Sequence, residues 1–352
     1  MNKVSLPEKR IMFCWQSIPA EYCDPNSGYN EIEALNEIGR TSLTDTTKKF
    51  CSKPKLRAND LIDEHDNNLN ESHIVSMLEN LAEGGKSSQK SCFSKQTLAI
   101  IIPYRNRYMH LMDLLRRLHK LLSRQNCDYT VFLVEQAFDE VFNKGKIMNA
   151  ATKEILKEEK FNCFIYHDVD MLPIDDRNIY SCGSEPRHLS PALDEMRFQL
   201  PYSGLVGGVL ALNRRQLDRT NGFSNEYWGW GAEDDDMHRR IMASGFRIDR
   251  PQSSFGRYKM VKHKKRLKAK GRFKLLKNWM NRWQKDGLSN IVDLGYKIIS
   301  VRKQPLFTNL TIDIGSPPDD LEEDNTTAQG SPVRFLAIFF CVSISIYTFK
   351  EL

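Results

Sequence analysis

Ten consecutive residues, Tyr227-Trp228-Gly229-Trp230-Gly231-Ala232-Glu233-Asp234-Asp235-Asp236, hold two indoles, two glycines and four adjacent carboxylates. Neighbouring carboxylates repel one another, so a fold keeps four together in water or around cations and substrate hydroxyls. Glycine lets the backbone bend close to a ligand, and an indole offers a flat apolar face with one N–H donor. That combination suits a sugar. The plainer reading is an acidic first turn that complements the dipole of a helix from Asp234 to Ser244. Upstream, His167-Asp168-Val169-Asp170 carries carboxylates at i and i+2. On leaving a strand they point the same way, so one can grip a divalent cation while the other orders a nearby ribose or backbone. Alone, such a pair is equally an ordinary acidic strand end. The stretch Arg257 to Lys277 contains eleven Lys or Arg and no acid, which reads as a solvated loop or an anion site.

These groups need a scaffold that brings them to one place. Leu98 to Tyr104 is a continuous apolar run of strand length, ended by a basic Arg105-Asn106-Arg107. Apolar residues then recur at helical spacing from Met109 to Leu122, followed by a strand over Tyr129–Glu135, a helix over Phe142–Glu159 and a strand over Cys163–Tyr166. The alternation predicts an α/β fold with a Rossmann-like, mostly parallel sheet flanked by helices, and ligands at the C-terminal strand ends. Gly207 to Leu212 reads as a further strand and Asn213 to Thr220 as a short helix. Both acidic motifs therefore belong to the same end of the sheet. Residues 1–91 lack sustained periodicity apart from a short helix near Ile74–Leu81 and read as a stem or linker. The catalytic domain is expected over 92–316, and a tail with a short apolar segment over 317–352.

The chain has 352 residues, 40% of them hydrophobic and 10% aromatic, which supports one large core with extensions. Its eight cysteines show no close Cys/His cluster of the kind that holds zinc, so disulfides are the better expectation. The sequons at Asn70, Asn309 and Asn325 permit glycosylation in a secretory compartment. Met1 to Phe50 is polar, with no apolar leader visible in this sequence. Phe335 to Phe349, fifteen apolar-rich residues, would span about 22 Å as a helix, short of a hydrocarbon core of about 30 Å.

Taken together, Ile101-Ile102-Pro103-Tyr104-Arg105-Asn106-Arg107, Phe142-Asn143-Lys144, Asp168-Val169-Asp170, the Trp228–Asp236 run, and Met260 with His263 resemble the β-1,4-galactosyltransferase family, Golgi sugar transferases of GT-A type fold. The resemblance runs from Cys92 to about Gly315. It implies a Mn²⁺ ion held by Asp170, Met260 and His263, a carboxylate, thioether and imidazole set that suits Mn²⁺ better than Mg²⁺. It implies Asp234 as catalytic base, taking the acceptor hydroxyl's proton on the face opposite the leaving group and inverting the anomeric centre. Pro103, Arg105, Arg107, Phe142, Lys144, Asp168 and Val169 would hold the UDP moiety. Leu205, Trp230, Gly231, Glu233 and Asp235 would contact sugars. Arg272, Phe273 and Leu276 would belong to a mobile lid that completes the acceptor pocket. The resemblance also pairs Cys51 with Cys92 and Cys163 with Cys182.

Three departures from the family pattern stand out. Lys144 replaces a usual Arg, so a bidentate phosphate grip becomes a point charge. Ala232 replaces a usual Gly. Leu205 stands where UDP-galactose users carry Tyr, and a shorter aliphatic chain leaves room for an acetamido group on the donor sugar. The resemblance thus implies transfer of GalNAc, with UDP-Gal the alternative donor, to terminal β-GlcNAc of glycoprotein or glycolipid glycans. It also implies a lumenal Golgi location with membrane association and no nucleic-acid partner. A non-catalytic glycan- or polyanion-binding protein is the rival reading, against which the intact Asp170, Met260, His263 and Asp234 argue.

Overall fold

The computed structural model describes residues 49–54, 56, 70–78, 80–158, 160–262 and 268–318. The calls on residues 1–48, Asn325 and Phe335–Phe349 lie outside them. In chain order come α1 (Glu71–Ser76), a hairpin of β1 (Leu81–Ala82) and β2 (Lys86–Ser87), β3 (Thr97–Tyr104), α2 (Tyr108–Arg124), β4 (Asp128–Gln136), α3 (Lys144–Ile155) and β5 (Cys163–His167). Then follow β6 (Met171–Pro173), β7 (Arg187–His188), β8 (Ala192–Leu193), β9 (Val209–Asn213), α4 (Arg214–Thr220) and α5 (Glu233–Ala243). β10 (Arg257–Met260), α6 (Arg272–Lys277), α7 (Trp279–Arg282), β11 (Lys297–Lys303) and β12 (Thr308–Asp313) complete the described fold.

The main sheet has a parallel centre, β12-β4-β3-β5, with antiparallel strands added around it. β9 runs antiparallel to β5 and β7 to β9. β11 pairs antiparallel with β12 and β2 with β4. Alternation along β3 divides two cores. Leu98, Ile100 and Ile102 meet α2 through Leu111, Leu115 and Leu118, whereas Ala99 and Ile101 meet α3 through Ile147 and Ala151. Both faces of the strand are sealed, which is why its sequence is apolar without a break.

Residues 71–87, read from composition as stem, join this body. Asn70 caps α1 by accepting from the His73 amide at 2.8 Å, Ile74 is fully buried, and Lys86 and Ser87 pair with Thr130 and Tyr129. The α3 helix is shorter than its periodic pattern, starting after Asn143, which caps it by accepting from the Lys146 amide at 2.8 Å, and ending at Ile155. Disulfides join Cys51 to Cys92 and Cys163 to Cys182, and Cys127 is a buried free thiol. Among the described residues no helix is long and apolar enough to cross a membrane.

Registers bring the chemistry to one end. His167, last in β5, lies opposite Val209, first in β9, so the glycines before β9 reach the end from which Asp168 emerges. The Asp168 amide donates to the Gly208 carbonyl at 2.9 Å. A small sheet, β6-β10-β8, then sets Met171 opposite Met260.

Candidate active site

The four carboxylates of residues 233–236 do not act as one cluster. They fall on the first turn of α5, where successive side chains diverge by about 100°. Glu233 lies 3.5 Å from the Lys144 ammonium, and its Oε2 is buried with no hydrogen-bond partner. Asp234 faces Gly207 across a pocket that Lys144, Asp168, Val206, Gly208, Glu233 and Asp234 help to line. Asp235 accepts from the Tyr202 hydroxyl at 2.9 Å. Asp236, fully buried, turns away from the pocket and accepts from Arg240 at 2.6 Å, from Tyr227 at 2.9 Å and from Arg282. Arg282 also pairs with Asp286, to which Ser224 and the Asn225 amide donate at 2.6 and 2.7 Å. The acidic motif is therefore divided between a pocket and a buried ion network.

Gly207 makes the approach of Asp234 possible, since a Cβ there would stand 2.5 Å from Asp234 Oδ2. Burial raises the Asp234 pKa to about 7, with the Glu233 charge adding to the effect and Lys144 opposing it. Such a carboxyl is poised to accept a proton near neutrality. Lys144 links the pocket's other acids, at 2.7 Å from Asp168 and 3.5 Å from Glu233. Burial disfavours its ammonium, but Asp168 and Glu233 outweigh that and hold its pKa above the ordinary value.

On the metal side, Asp170 is paired with Arg107 at 2.7 Å. The amide of Val261, next to Met260, donates to the Asp170 carbonyl at 2.9 Å, and the Met260 amide donates to Asp194 at 2.9 Å. The carboxylate, in the turn just before β6, and the thioether residue, on the paired strand β10, are thus held side by side, which fits a carboxylate–thioether donor set. His263 lies outside the described residues. Among the described residues no group of three or more His, Cys, Asp or Glu gathers where a metal could sit, because one expected donor is a methionine and another is His263. Arg105 donates to the carbonyls of Glu140 and, at 3.2 Å, of Phe138, and stacks 5.2 Å above Phe142. Pro103 and Val169 are buried at the strand ends beside these residues.

Backbone contacts position the residues around Trp230 and those expected in a lid. The Gly229 amide donates to the Phe142 carbonyl at 2.8 Å, and Ala269 donates to the Trp230 carbonyl at 2.9 Å. With φ of +105° and the Ala269 backbone 2.9 Å from a would-be Cβ, Gly229 can be no other residue without distortion. Trp230 and Phe273 are exposed, and Arg272 lies beside Gly231 with its guanidinium 4.5 Å above Phe273. Leu276 is tied back to α5 by Arg239, which donates to its carbonyl at 2.6 Å. Leu205, just before the pocket-lining Val206, is held through its carbonyl by Arg250 at 2.9 Å. Sequence reasoning did not single out Gly207, Tyr202 or Arg282. The spacing of Asp236 from Arg240, and of Arg282 from Asp286, is the i,i+4 signal that could have revealed the buried network.

Residues 51–183 match the family description "N-terminal region of glycosyl transferase group 7", and residues 187–264 match "N-terminal domain of galactosyltransferase". The chain is 44% identical over 239 residues to human β-1,4-galactosyltransferase 2, covering 67% of this chain and 63% of that protein. It is 42% identical over 232 residues to mouse β-1,4-galactosyltransferase 4, covering 65% of this chain and 67% of that protein. Among solved structures, a mutant Drosophila β-1,4-galactosyltransferase 7 in complex with manganese, UDP-Gal and xylobiose superposes with a TM-score of 0.55 at 27% identity, covering 62% of this chain and 94% of that one.

Proposed function

The chain belongs to the β-1,4-galactosyltransferase family, and from that premise we propose that it is an inverting, Mn²⁺-dependent hexosyltransferase acting from a UDP-sugar onto the 4-hydroxyl of terminal β-GlcNAc. The single observation that carries this reading is the pocket at the strand ends. There a proton-accepting Asp234 and an unpartnered Glu233 oxygen face the Lys144–Asp168 pair. Asp234 removes the acceptor hydroxyl's proton as that oxygen attacks the anomeric carbon. Glu233 and Asp235 receive hydrogen bonds from sugar hydroxyls, and the Trp230 indole gives a ring a flat apolar face. Arg105, Arg107, Phe142, Lys144 and Asp168, with Pro103 and Val169 behind them, hold the nucleotide, Lys144 as a point charge. Asp170, Met260 and His263 would hold Mn²⁺, which when bound supplies positive charge to the departing diphosphate. Arg107, paired with Asp170 at 2.7 Å, would stand between that ion's carboxylate ligand and the phosphates.

The names of the relatives, and the UDP-Gal bound in the Drosophila protein, favour galactose as the transferred sugar. Leu205 favours a second reading, GalNAc, because a short aliphatic side chain beside the pocket leaves room for an acetamido group. The two crosslinks support function in an oxidising lumen, which in this family is the Golgi. The deciding experiment measures UDP release with Mn²⁺, chitobiose and either UDP-Gal or UDP-GalNAc. Turnover with one of them supports the transferase, and their ratio assigns the donor. No release with either sinks the reading. Leu205→Tyr is expected to shift the ratio toward UDP-Gal.

A further inference from the structure

Resting on the transferase reading above, we propose that Arg250 and His188 are positioning residues, a clamp that holds the 203–207 segment against α5 and so sets the gap in which Asp234 works. Every second carbonyl of that segment meets this pair. Arg250 Nη2 donates to the Ser203 carbonyl at 2.7 Å and to the Leu205 carbonyl at 2.9 Å, while its Nε donates to His188 Nδ1 at 3.2 Å. With Nδ1 accepting, the single proton of a neutral imidazole lies on Nε2, which donates to the Gly207 carbonyl at 2.9 Å. His188 is fully buried, and burial together with the Arg250 charge pushes its pKa down to about 3, so the ring stays neutral. Ser190 adds its hydroxyl to the same carbonyl at 3.3 Å and accepts from the Val209 amide at 2.9 Å.

The other side of the segment rests on α5. A Cβ on Gly204 would stand 3.2 Å from the His238 ring, and one on Gly207 would stand 2.5 Å from Asp234 Oδ2. The backbone is therefore gripped from one side and pressed on the helix that carries Asp234 from the other, so slack in the grip appears as a change in the Gly207–Asp234 separation. The clamp itself is anchored by the sheet, since the His188 amide donates to the Asp249 carbonyl at 2.9 Å and His188 lies opposite Leu210 in β9. Among the described residues no carboxylate offsets the burial that lowers the Arg250 pKa. A guanidinium without an acid partner, aimed at backbone carbonyls, serves the placement of that backbone, because its planar fork presents several N–H groups at fixed angles.

The test is steady-state UDP release with Mn²⁺ and chitobiose, beside calorimetric titration of UDP. Arg250→Met is expected to lower kcat roughly 10- to 100-fold, as a misplacement of up to about 1 Å at a reacting group does, while the Kd for UDP stays within about twofold. His188 carries the test should that variant not fold. In His188→Gln the amide nitrogen can still donate to Gly207 and the amide oxygen accept from Arg250, so kcat should stay within about threefold, whereas His188→Leu should lose as much as Arg250→Met. The decisive variant combines Gly207→Ala with Arg250→Met. A loosened segment can back away from the added methyl, so the double variant should lose no more than about threefold beyond the worse single one. Losses that multiply overturn the proposal, because Arg250 then acts independently of the Gly207–Asp234 contact. So do an unchanged kcat in Arg250→Met, equal kcat values for the two His188 variants, and a UDP affinity that falls in step with kcat. If the unaltered protein releases no UDP from UDP-Gal or UDP-GalNAc, it is the transferase reading that fails.

Discussion

Replacing Gly207 with alanine separates the stability of this protein from its chemistry. The Gly207 backbone does not lie in the left-handed region, so alanine meets no conformational penalty there. Its Cβ would stand 2.5 Å from Asp234 Oδ2, where ordinary contact begins at 3.4 Å, while Asp234 Cγ and Cβ, at 3.4 and 3.5 Å, remain clear. Only the carboxylate oxygen must give way, by about 0.9 Å, through a rotation that costs about 1 kcal/mol. The fold therefore survives with a small drop in melting temperature. Turnover does not, since a misplacement of about 1 Å at a reacting group costs roughly 10²-fold. The assay is steady-state UDP release with saturating donor and acceptor, alongside calorimetric titration of UDP, which should bind as before. A kcat within about threefold of the unaltered protein would refute the assignment of Asp234 as the group that must touch the acceptor.

Other perturbations reach different parts of the site. Asp234→Asn should retain UDP binding and lose turnover. In the unaltered protein kcat should fall as pH drops below about 7, because the base works only when ionised. The same carboxyl has a folded pKa above its ordinary 3.8, so the folded state holds the extra proton. Its contribution to stability is then present at low pH and lost as pH rises toward about 7. A melting temperature of Asp234→Asn as steep in pH as that of the unaltered protein over this window would contradict the assignment. Arg282→Met leaves Arg240 as the cation shared by Asp236 and Asp286 and should destabilise by about 3–5 kcal/mol in urea titration. A loss below about 1 kcal/mol would show the network to be dispensable. Ala232 sits at φ +75° as the N-cap of α5, so Ala232→Gly should relieve about 1 kcal/mol and raise the melting temperature by about 2–4 °C.

The central strands were legible because burial on both faces writes itself as an unbroken apolar run, as in Leu98–Ile102. The capped helix α4 was legible too, since Asn213 and Gln216 form a capping box that local sequence can signal. The hairpin over residues 81–87 was not, because strands of two residues carry no periodicity and exist only through pairing with β4. At the site, the residue types of Asp168, Glu233 and Asp234 announced a polar pocket. The separation of Asp236 from its neighbours did not show in the run of acids, because helical rotation and not adjacency decides which way a side chain points. Gly207 was hidden for a related reason. Its role arises where an antiparallel strand begins opposite the first turn of a helix, a meeting of segments that no local pattern encodes.

The crosslink between Cys163 and Cys182 makes a covalent ring of nineteen-residue separation, and Asp168 and Asp170 ride on that ring. Closing a loop of this size removes about 3 kcal/mol worth of freedom from the open chain. It adds a covalent tie to strand-end acids that the sheet registers already position. Cys163 is fully buried at the start of β5, and the remaining described thiol, Cys127, is buried with its pKa pushed up to about 12, so it is a poor partner for scrambling. Synthesis under reducing conditions would then leave the acidic turn held only by its strand pairing and backbone hydrogen bonds. The redox state of the compartment in which the chain folds therefore decides whether that turn carries its covalent tie, before any substrate is met.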